Sequence, residues 1–410
     1  MFKNLDFTIK PEKLDRPVKT SAILILVATL VTYMCQSLTN GTYAATTLVA
    51  ESFPGISLTT VTLVSSVPML TAIPTNLLCG MVINKLGFKK TLFLGYIIFF
   101  TGGLLPFFYC DSFWFILVCR GIVGLALGLF MPMPAILVSH LYDGQTRATV
   151  MGWGATFNGV AGTLCTQVGG FFAARSLREL FLYHLIALIP FIFALFIPKF
   201  TPKAANTGTE KADTGAKSKW SGRIWYFTLV NAVAFCFMYP VLIYTASIVI
   251  EEGLGTAALG GTIVSSFNMA GMVIGLFIGT IYGKIGKYSI PAGLLFIGAG
   301  FTSIVFHTGT GMLFLGVILI GIGYHIFYAS AFTALSVVAD PTVYGTAMGI
   351  NYALSTGASV VSPFIVSFIG GLFGQAQSIY SPMVIGMVFF WIVGLIFAVK
   401  PVKIISYLGN

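Results

Sequence analysis

Charge is what this chain has least of. Only 8% of its 410 residues are charged, against about 25% in an ordinary soluble domain, and 57% are hydrophobic. A chain this apolar would expose too much hydrocarbon to water, so its solvent is lipid. Acidic residues are scarcest of all. The twelve Asp and Glu fall between hydrophobic runs, in a central polar stretch or near the chain ends, and none sits in the middle of a run. Cysteine is sparse too: Cys35, Cys79, Cys110, Cys119, Cys165 and Cys236 are scattered through apolar segments without Cys-x-x-Cys spacing. Neither a disulfide framework nor a zinc site is indicated, and small buried apolar residues are the expected role. No His-Glu-x-x-His and no Gly-x-Ser-x-Gly occurs. An intramembrane enzyme would need such a constellation, so we expect no enzymatic activity and no cofactor or metal.

What is present is hydrophobic length. A membrane-crossing helix needs about 20 apolar residues, and the chain supplies twelve such runs, near 21–49, 58–80, 91–110, 113–140, 149–172, 180–198, 224–250, 258–281, 289–308, 312–338, 345–371 and 380–399. The polar stretch 199–223, rich in Ala, Gly, Thr and Lys, cannot bury a core and reads as a flexible linker. Residues 1–198 and 224–410 are then two six-helix halves. Nineteen of the 22 Lys and Arg fall in segments that share one side of the membrane, the exceptions being Arg120, Arg175 and Arg178. This is the positive-inside pattern, so the net charge of +10 reports topology rather than a nucleic-acid partner. Both termini and the linker are expected in the cytoplasm, with an uncleaved N-terminus and the lipid bilayer of the plasma membrane as surroundings.

The halves repeat. Gly80-Met-Val-Ile-Asn84-Lys85-Leu-Gly87 returns as Gly279-Thr-Ile-Tyr-Gly-Lys-Ile-Gly286, and Arg147-Ala-Thr-Val-Met-Gly152 is echoed by Tyr344-Gly-Thr-Ala-Met-Gly349, at nearly one offset. Parallel six-helix repeats with a substrate site between them are a transporter arrangement. Over its whole length the chain resembles the major facilitator superfamily. The stretch Gly80 to Lys90 is similar to that family's loop between helices 2 and 3, and Arg120-x-x-x-Gly124 resembles its helix-4 signature. Gly159-Val-Ala-Gly162 through Gly169-Gly170 is similar to the helix-5 motif of drug antiporters, but Cys165-Thr166 replaces its Gly-Pro pair. The resemblance implies an all-α fold of twelve transmembrane helices in two pseudo-symmetric bundles, and alternating access of a central cavity lined by helices 1, 4, 7 and 10. It also implies a conformational latch at Gly80, Asn84, Lys85, Gly87, Lys89 and Arg147. The family usually has Asp where this chain has Asn84, so a softer latch is expected.

Arg120 is the residue least at home in lipid. An arginine at bilayer depth costs roughly 2.5–3.5 kcal/mol on insertion scales, so it should face a cavity or a partner helix. Gly121, Gly124 and Gly128 beside it allow a neighbouring helix to approach closely. With no acid in the spans, Arg120 would leave the cavity positive and suited to carboxylate or phosphate; hydrogen bonding that only orders the fourth helix is the competing role. In the first span Tyr33, Gln36, Asn40, Tyr43 and Thr47 are spaced to form one helical face. Asn231, Phe235, Tyr239 and Tyr244 surround Pro240 in the seventh, and Tyr324, His325 and Tyr328 lie in the tenth. Of these, Tyr33, Gln36, Asn40, Asn231, Phe235, Tyr239, Tyr324, His325, Tyr328 and Arg120 are the expected substrate contacts. His325 is the histidine well inside a span and so the candidate proton carrier. Asn158, Gln167, Asn268 and Asn351 read as packing hydrogen bonds. The expected activity is secondary transport of a small organic solute, an organic anion or a neutral amphipathic metabolite, by a monomer. Efflux of hydrophobic drugs is the alternative, given 37 Phe and 14 Met.

Overall fold

Glycine and proline punctuate the helices and decide where they touch and where they break. In the computed structural model the described residues are 7, 9, 20–56, 58–61, 63–200, 220–255, 257–375 and 378–401, and every regular element among them is helical. The expected linker thus lies largely outside the described residues. Twelve spanning elements follow in order. The first half holds α1 (Ala22–Thr32, with continuing turns to Ser52), α2 (Leu63–Leu86), α3 (Phe88–Phe108), α4 (Phe113–Leu141), α5 (Gly144–Ala173) and α6 (Leu177–Ala194). The second holds α7 (Gly222–Glu251), α8 (Ala257–Ile285), α9 (Ser289–Val305), α10 (Thr310–Val338), α11 (Pro341–Leu372) and α12 (Ser381–Val399). Ten segments are long and apolar enough to cross a membrane, and one of these, Leu259–Val305, holds both α8 and α9. The remaining helix, α5, is rich in glycine and polar residues and packs on α8 of the other bundle rather than facing lipid along its length.

The packing is pseudo-symmetric. Within the bundles α2 packs on α4 as α8 packs on α10, and α3 on α4 as α9 on α10; between them α2 meets α11 and α5 meets α8. The repeated motifs cross-pair at these seams. A Cβ on Gly80 would collide with the backbone of Gly345 and Thr346, and one on Gly279 with Thr149. Each motif of one half therefore seats on the echo of the other motif. Gly87 and Gly286 make the turns after α2 and α8 with φ of 83° and 44°, in the left-handed region where only glycine is unstrained. Hydropathy alone places the end of α2 near residue 80, but the helix runs on to Leu86, carrying its polar last turn out of the apolar layer.

Four helices are interrupted, α6 by a 3-10 segment over Phe181–Ala187. In α4 the regular part ends at Phe130 and resumes at Met133, because Pro132 and Pro134 bring no N–H to the carbonyls before them. A break at Tyr239 precedes Pro240 in α7. From Tyr33 to Ala45, α1 unwinds into tighter 3-10 turns. Gly41 permits this at close quarters: the ring of Tyr183 lies where a side chain on Gly41 would be, and the Gly41 backbone lies where a side chain on Gly169 of α5 would be.

Candidate substrate site

A cavity lies at the seam, and its wall is drawn from both bundles. From the first come Tyr33 and Gln36 of α1, Ala135 of α4, and Met151, Ala155 and Asn158 of α5. The second contributes Tyr324, His325, Tyr328, Ala329 and Phe332 of α10, with Tyr352 of α11. No lining residue is an acid, a lysine or an arginine. Tyr324, Tyr328 and Phe332 recur every four residues and so stack along one face of α10. Their ring centroids are 5.4 and 4.0 Å apart, and Phe332 continues to Tyr352 at 5.4 Å. His325 lies beside Tyr324 and Phe267, its Nδ1 2.8 Å from the carbonyl of Gly321. A carbonyl only accepts, so Nδ1 carries the proton and Nε2 is the nitrogen left with a lone pair.

A hydrogen-bonded chain crosses the cavity wall. Gln36 Nε2 donates to the carbonyl of Met131 at 2.7 Å and to the Tyr352 hydroxyl at 2.9 Å, and Tyr328 donates to the same hydroxyl at 2.8 Å. The Met131 carbonyl is available because α4 breaks there. Ser37 donates to Asn158 Oδ1 behind Gln36. Toward the end of the molecule that carries Phe200 and Trp220, the seam is closed. Arg147 donates from Nη1 to Ser336 of α10 at 2.8 Å, and Gln145 to the carbonyl of Gly279 at 3.3 Å.

Arg120 is elsewhere. It is 1% exposed, about four helical turns from Ala135 on the same helix. Nε donates to the Val64 carbonyl at 2.9 Å, Nη2 to Thr42 Oγ1 at 2.8 Å, and Nη1 lies 3.4 Å from His184 Nε2 and 3.5 Å from the Tyr183 hydroxyl. His184 Nδ1 sits 2.9 Å from the Phe181 carbonyl, so its proton is there and Nε2 accepts from the arginine. The expectation of an arginine in the cavity is thus corrected. Neutral acceptors on α1, α2 and α6 engage all three guanidinium nitrogens, and Arg120 ties those helices together. Two of the three glycines beside it behave as expected: side chains at Gly124 and Gly128 would strike Thr71 and Thr75 of α2, whereas one at Gly121 would meet only ordinary contacts.

The other expected contacts divide. Asn40 does not line this cavity but stands beside Gly162 of α5. A 3-10 turn takes three residues, so seven residues of it leave Asn40 about a third of a turn away from Tyr33. Tyr43 and Thr47 lie outside the residues whose side chains are described. Asn231 is buried and donates to Asn351 Oδ1 at 2.9 Å and Ser355 Oγ at 3.0 Å. Phe235 and Tyr239 form a layer behind Tyr324, with Phe235 5.9 Å from its ring. Helix α7 therefore backs the wall instead of forming it. Of the expected latch, Gly80 and Arg147 sit at the seam, Asn84 and Lys85 are exposed, and Lys89 caps the end of α6 through the carbonyls of Leu195 and Ile197. Seven wall residues were not among the expected contacts: Ala135, Met151, Ala155, Ala329, Phe332, Tyr352 and Asn158, the last taken for packing. Phe332 was findable as the next step of the four-residue series, and Tyr352 as a tyrosine in mid-span, away from the interfaces where tyrosine gathers.

Two bundles, paired motifs and a seam cavity are the arrangement the motifs implied, and comparison with known proteins decides the family. The profile of the Major Facilitator Superfamily matches residues 25–363. The chain belongs to the major facilitator superfamily. It is similar to Protein TsgA of Escherichia coli O1:K1 / APEC, at 27% identity over 46% of this chain and 48% of that protein, and so spans about half of that relative. Among solved structures it is similar to the proton:xylose symporter XylE bound to 6-bromo-6-deoxy-D-glucose, with a TM-score of 0.70, 14% identity and coverage of 94% of this chain and 98% of that one. The human organic anion transporter MFSD10 superposes with a TM-score of 0.70 at 14% identity, over 91% and 99% of the two chains. At this identity the likeness shows the fold alone. This chain is an integral membrane protein of that family, built as two six-helix bundles.

Proposed function

We propose that the protein carries a small, neutral, polar organic solute across the membrane by alternating access, working as a single chain. The observation that carries this reading is the charge-free wall of the seam cavity, where tyrosine hydroxyls, two amides and a histidine stand among aromatic rings. Rings bury the carbon face of a ligand, and a few fixed polar groups set its orientation. An anion entering here would leave water without a cation to meet it, because Arg120 is hydrogen-bonded within its own bundle. This favours the neutral metabolite over the organic anion. Drug efflux finds no specific support in the wall, whose polar groups reach across from both bundles.

With the lysine-rich end in the cytoplasm, the closed seam at Arg147 and Gly80 makes this the outward-facing form. Transport then requires the α2–α11 and α5–α8 contacts to part at that end while the bundles close on the other. The test is thermal unfolding of the purified protein with monosaccharides and cyclic polyols, small carboxylates and sugar phosphates, and lipophilic cations, followed by counterflow in proteoliposomes with whatever stabilises it. Stabilisation and counterflow by neutral hydroxylated compounds support the reading. If only the anions act, or only the cations, it is wrong.

A further inference from the structure

The hydrogen bonds across the cavity leave two atoms over, and they are complementary. Gln36 has two amide protons, and both are committed, one to the Met131 carbonyl and one to the Tyr352 hydroxyl. The carbonyl can only accept, so the atom placed 2.7 Å from it must be the amide nitrogen, which fixes the orientation of the amide. Gln36 Oε1 receives no hydrogen bond among the described residues. The Tyr352 oxygen accepts from Gln36 and from Tyr328, so its own proton is directed elsewhere, and it too meets no acceptor among the described residues. Both side chains line the cavity. A strong acceptor and a strong donor therefore stand on the cavity wall on two side chains that are themselves joined, Gln36 Nε2 to the Tyr352 oxygen at 2.9 Å.

We propose that Gln36 and Tyr352 form a hydroxyl-reading pair that determines substrate specificity: one hydroxyl of the solute donates to Gln36 Oε1 and accepts from the Tyr352 O–H. This deepens the neutral-solute reading and rests on it. A hydroxyl satisfies both atoms at once because it is donor and acceptor together. A carboxylate or phosphate oxygen accepts from Tyr352 but faces the lone pairs of Oε1, and an ammonium does the reverse. An ether or a deoxy carbon leaves one or both atoms unpaired where the solute has displaced water, which is how a polar site rejects an analogue lacking the group. The pair also spans the seam, with Gln36 on α1 of the first bundle and Tyr352 on α11 of the second. A bound hydroxyl thus adds a second link across the bundles where a single hydrogen bond joins these side chains, and substrate binding favours their approach.

The experiment uses the full chain in detergent and the monosaccharide or polyol that stabilises it most. Dissociation constants are measured for that compound and for each of its mono-deoxy derivatives, with wild type, Tyr352→Phe and Gly121→Ala. In wild type one deoxy position weakens binding by about tenfold more than the others, the worth of one well-made pair of hydrogen bonds. In Tyr352→Phe that position loses its special penalty and all deoxy derivatives bind within about threefold of the parent. Gly121→Ala, remote from the wall and with only ordinary contacts around it, keeps the wild-type ranking and controls for a general effect of substitution. A deoxy penalty that survives unchanged in Tyr352→Phe overturns the pair while leaving the neutral-solute reading intact. Failure of every neutral hydroxylated compound to bind wild type overturns both. If Tyr352→Phe does not fold, Gln36→Met, which keeps length and removes both polar ends, is read in the same way.

Discussion

Two polar regions hang from the same unwound stretch of α1, one at Thr42 and one at Gln36. At Thr42 the partner is Arg120, a buried guanidinium that holds α1, α2 and α6 of a single bundle. At Gln36 the partners are hydroxyls and a carbonyl shared by both bundles, and two polar atoms remain unused. The difference follows from what each group costs when its partner leaves. An unpaired charge in a low-dielectric interior costs several kcal/mol, so it has to stay satisfied through the whole transport cycle. A neutral amide or hydroxyl loses only about 1–3 kcal/mol, small enough to be exchanged for a solute and back. Charge serves here to fix a bundle, and neutral polarity to bind and release.

Removing the charge should have the largest effect. Arg120→Leu leaves the Val64 carbonyl, Thr42 and His184 without their donor, and we expect a loss of about 3 kcal/mol of stability, read as a lowered unfolding temperature. Arg120→Gln loses less but does not change which class of solute stabilises the protein. A variant at 120 that keeps full stability and turns the preference from neutral compounds to cations or anions would break the comparison. Gln36→Ala is the counterpart: stability within about 1 kcal/mol of wild type, with solute binding weakened by about tenfold.

The seam comes next. A side chain at Gly80 meets backbone of α11, which has no rotamer by which to yield, so Gly80→Leu keeps the Phe200 end from closing. Transport is expected to fall by about tenfold or more. Gly121→Ala is the control, because its nearest neighbours lie at ordinary contact distance, 3.7 and 3.8 Å, and its transport should match wild type. Asn84→Asp is smaller. By the family pattern an acid at this place stiffens the latch, and we expect counterflow to slow by about threefold, roughly the worth of one exposed charge contact. Unchanged rate and conformational populations would remove Asn84 from the latch.

Much of the fold was legible because lipid imposes a simple rule on composition: twelve apolar runs, a polar link and a charge bias need no tertiary information. The motif echoes even carried the seam, since Gly80 and Gly279 recur where the halves touch. What could not be read was direction around a helix axis. The sequence places Arg120 in the membrane, but its partners are a carbonyl, two hydroxyls and a neutral imidazole, none of which leaves a charge signature pointing to α2 and α6. The stripe in α1 failed for a related reason. A spacing of three and four describes one face only while the helix stays regular, and unwinding after Tyr33 kept Gln36 at the cavity while turning Asn40 to α5.

His325 gives the finest test of the comparison, because its imidazole is the cavity group with a free ring nitrogen able to take up a proton. Its Nδ1 proton is held by the Gly321 carbonyl, so a proton arriving from solvent goes to Nε2 and places a positive charge on the wall of an otherwise neutral cavity. If that proton accompanies the solute, wild-type counterflow driven by a pH gradient exceeds counterflow without one, and His325→Gln abolishes the difference while changing the ungraded rate by no more than about twofold. Glutamine retains a donor for Gly321 and cannot take up a proton, so the two effects separate. A gradient response that persists in His325→Gln takes proton carriage away from this residue. The cavity would then stay neutral at every step, and the division between a charged anchor and an uncharged binding wall would hold without exception.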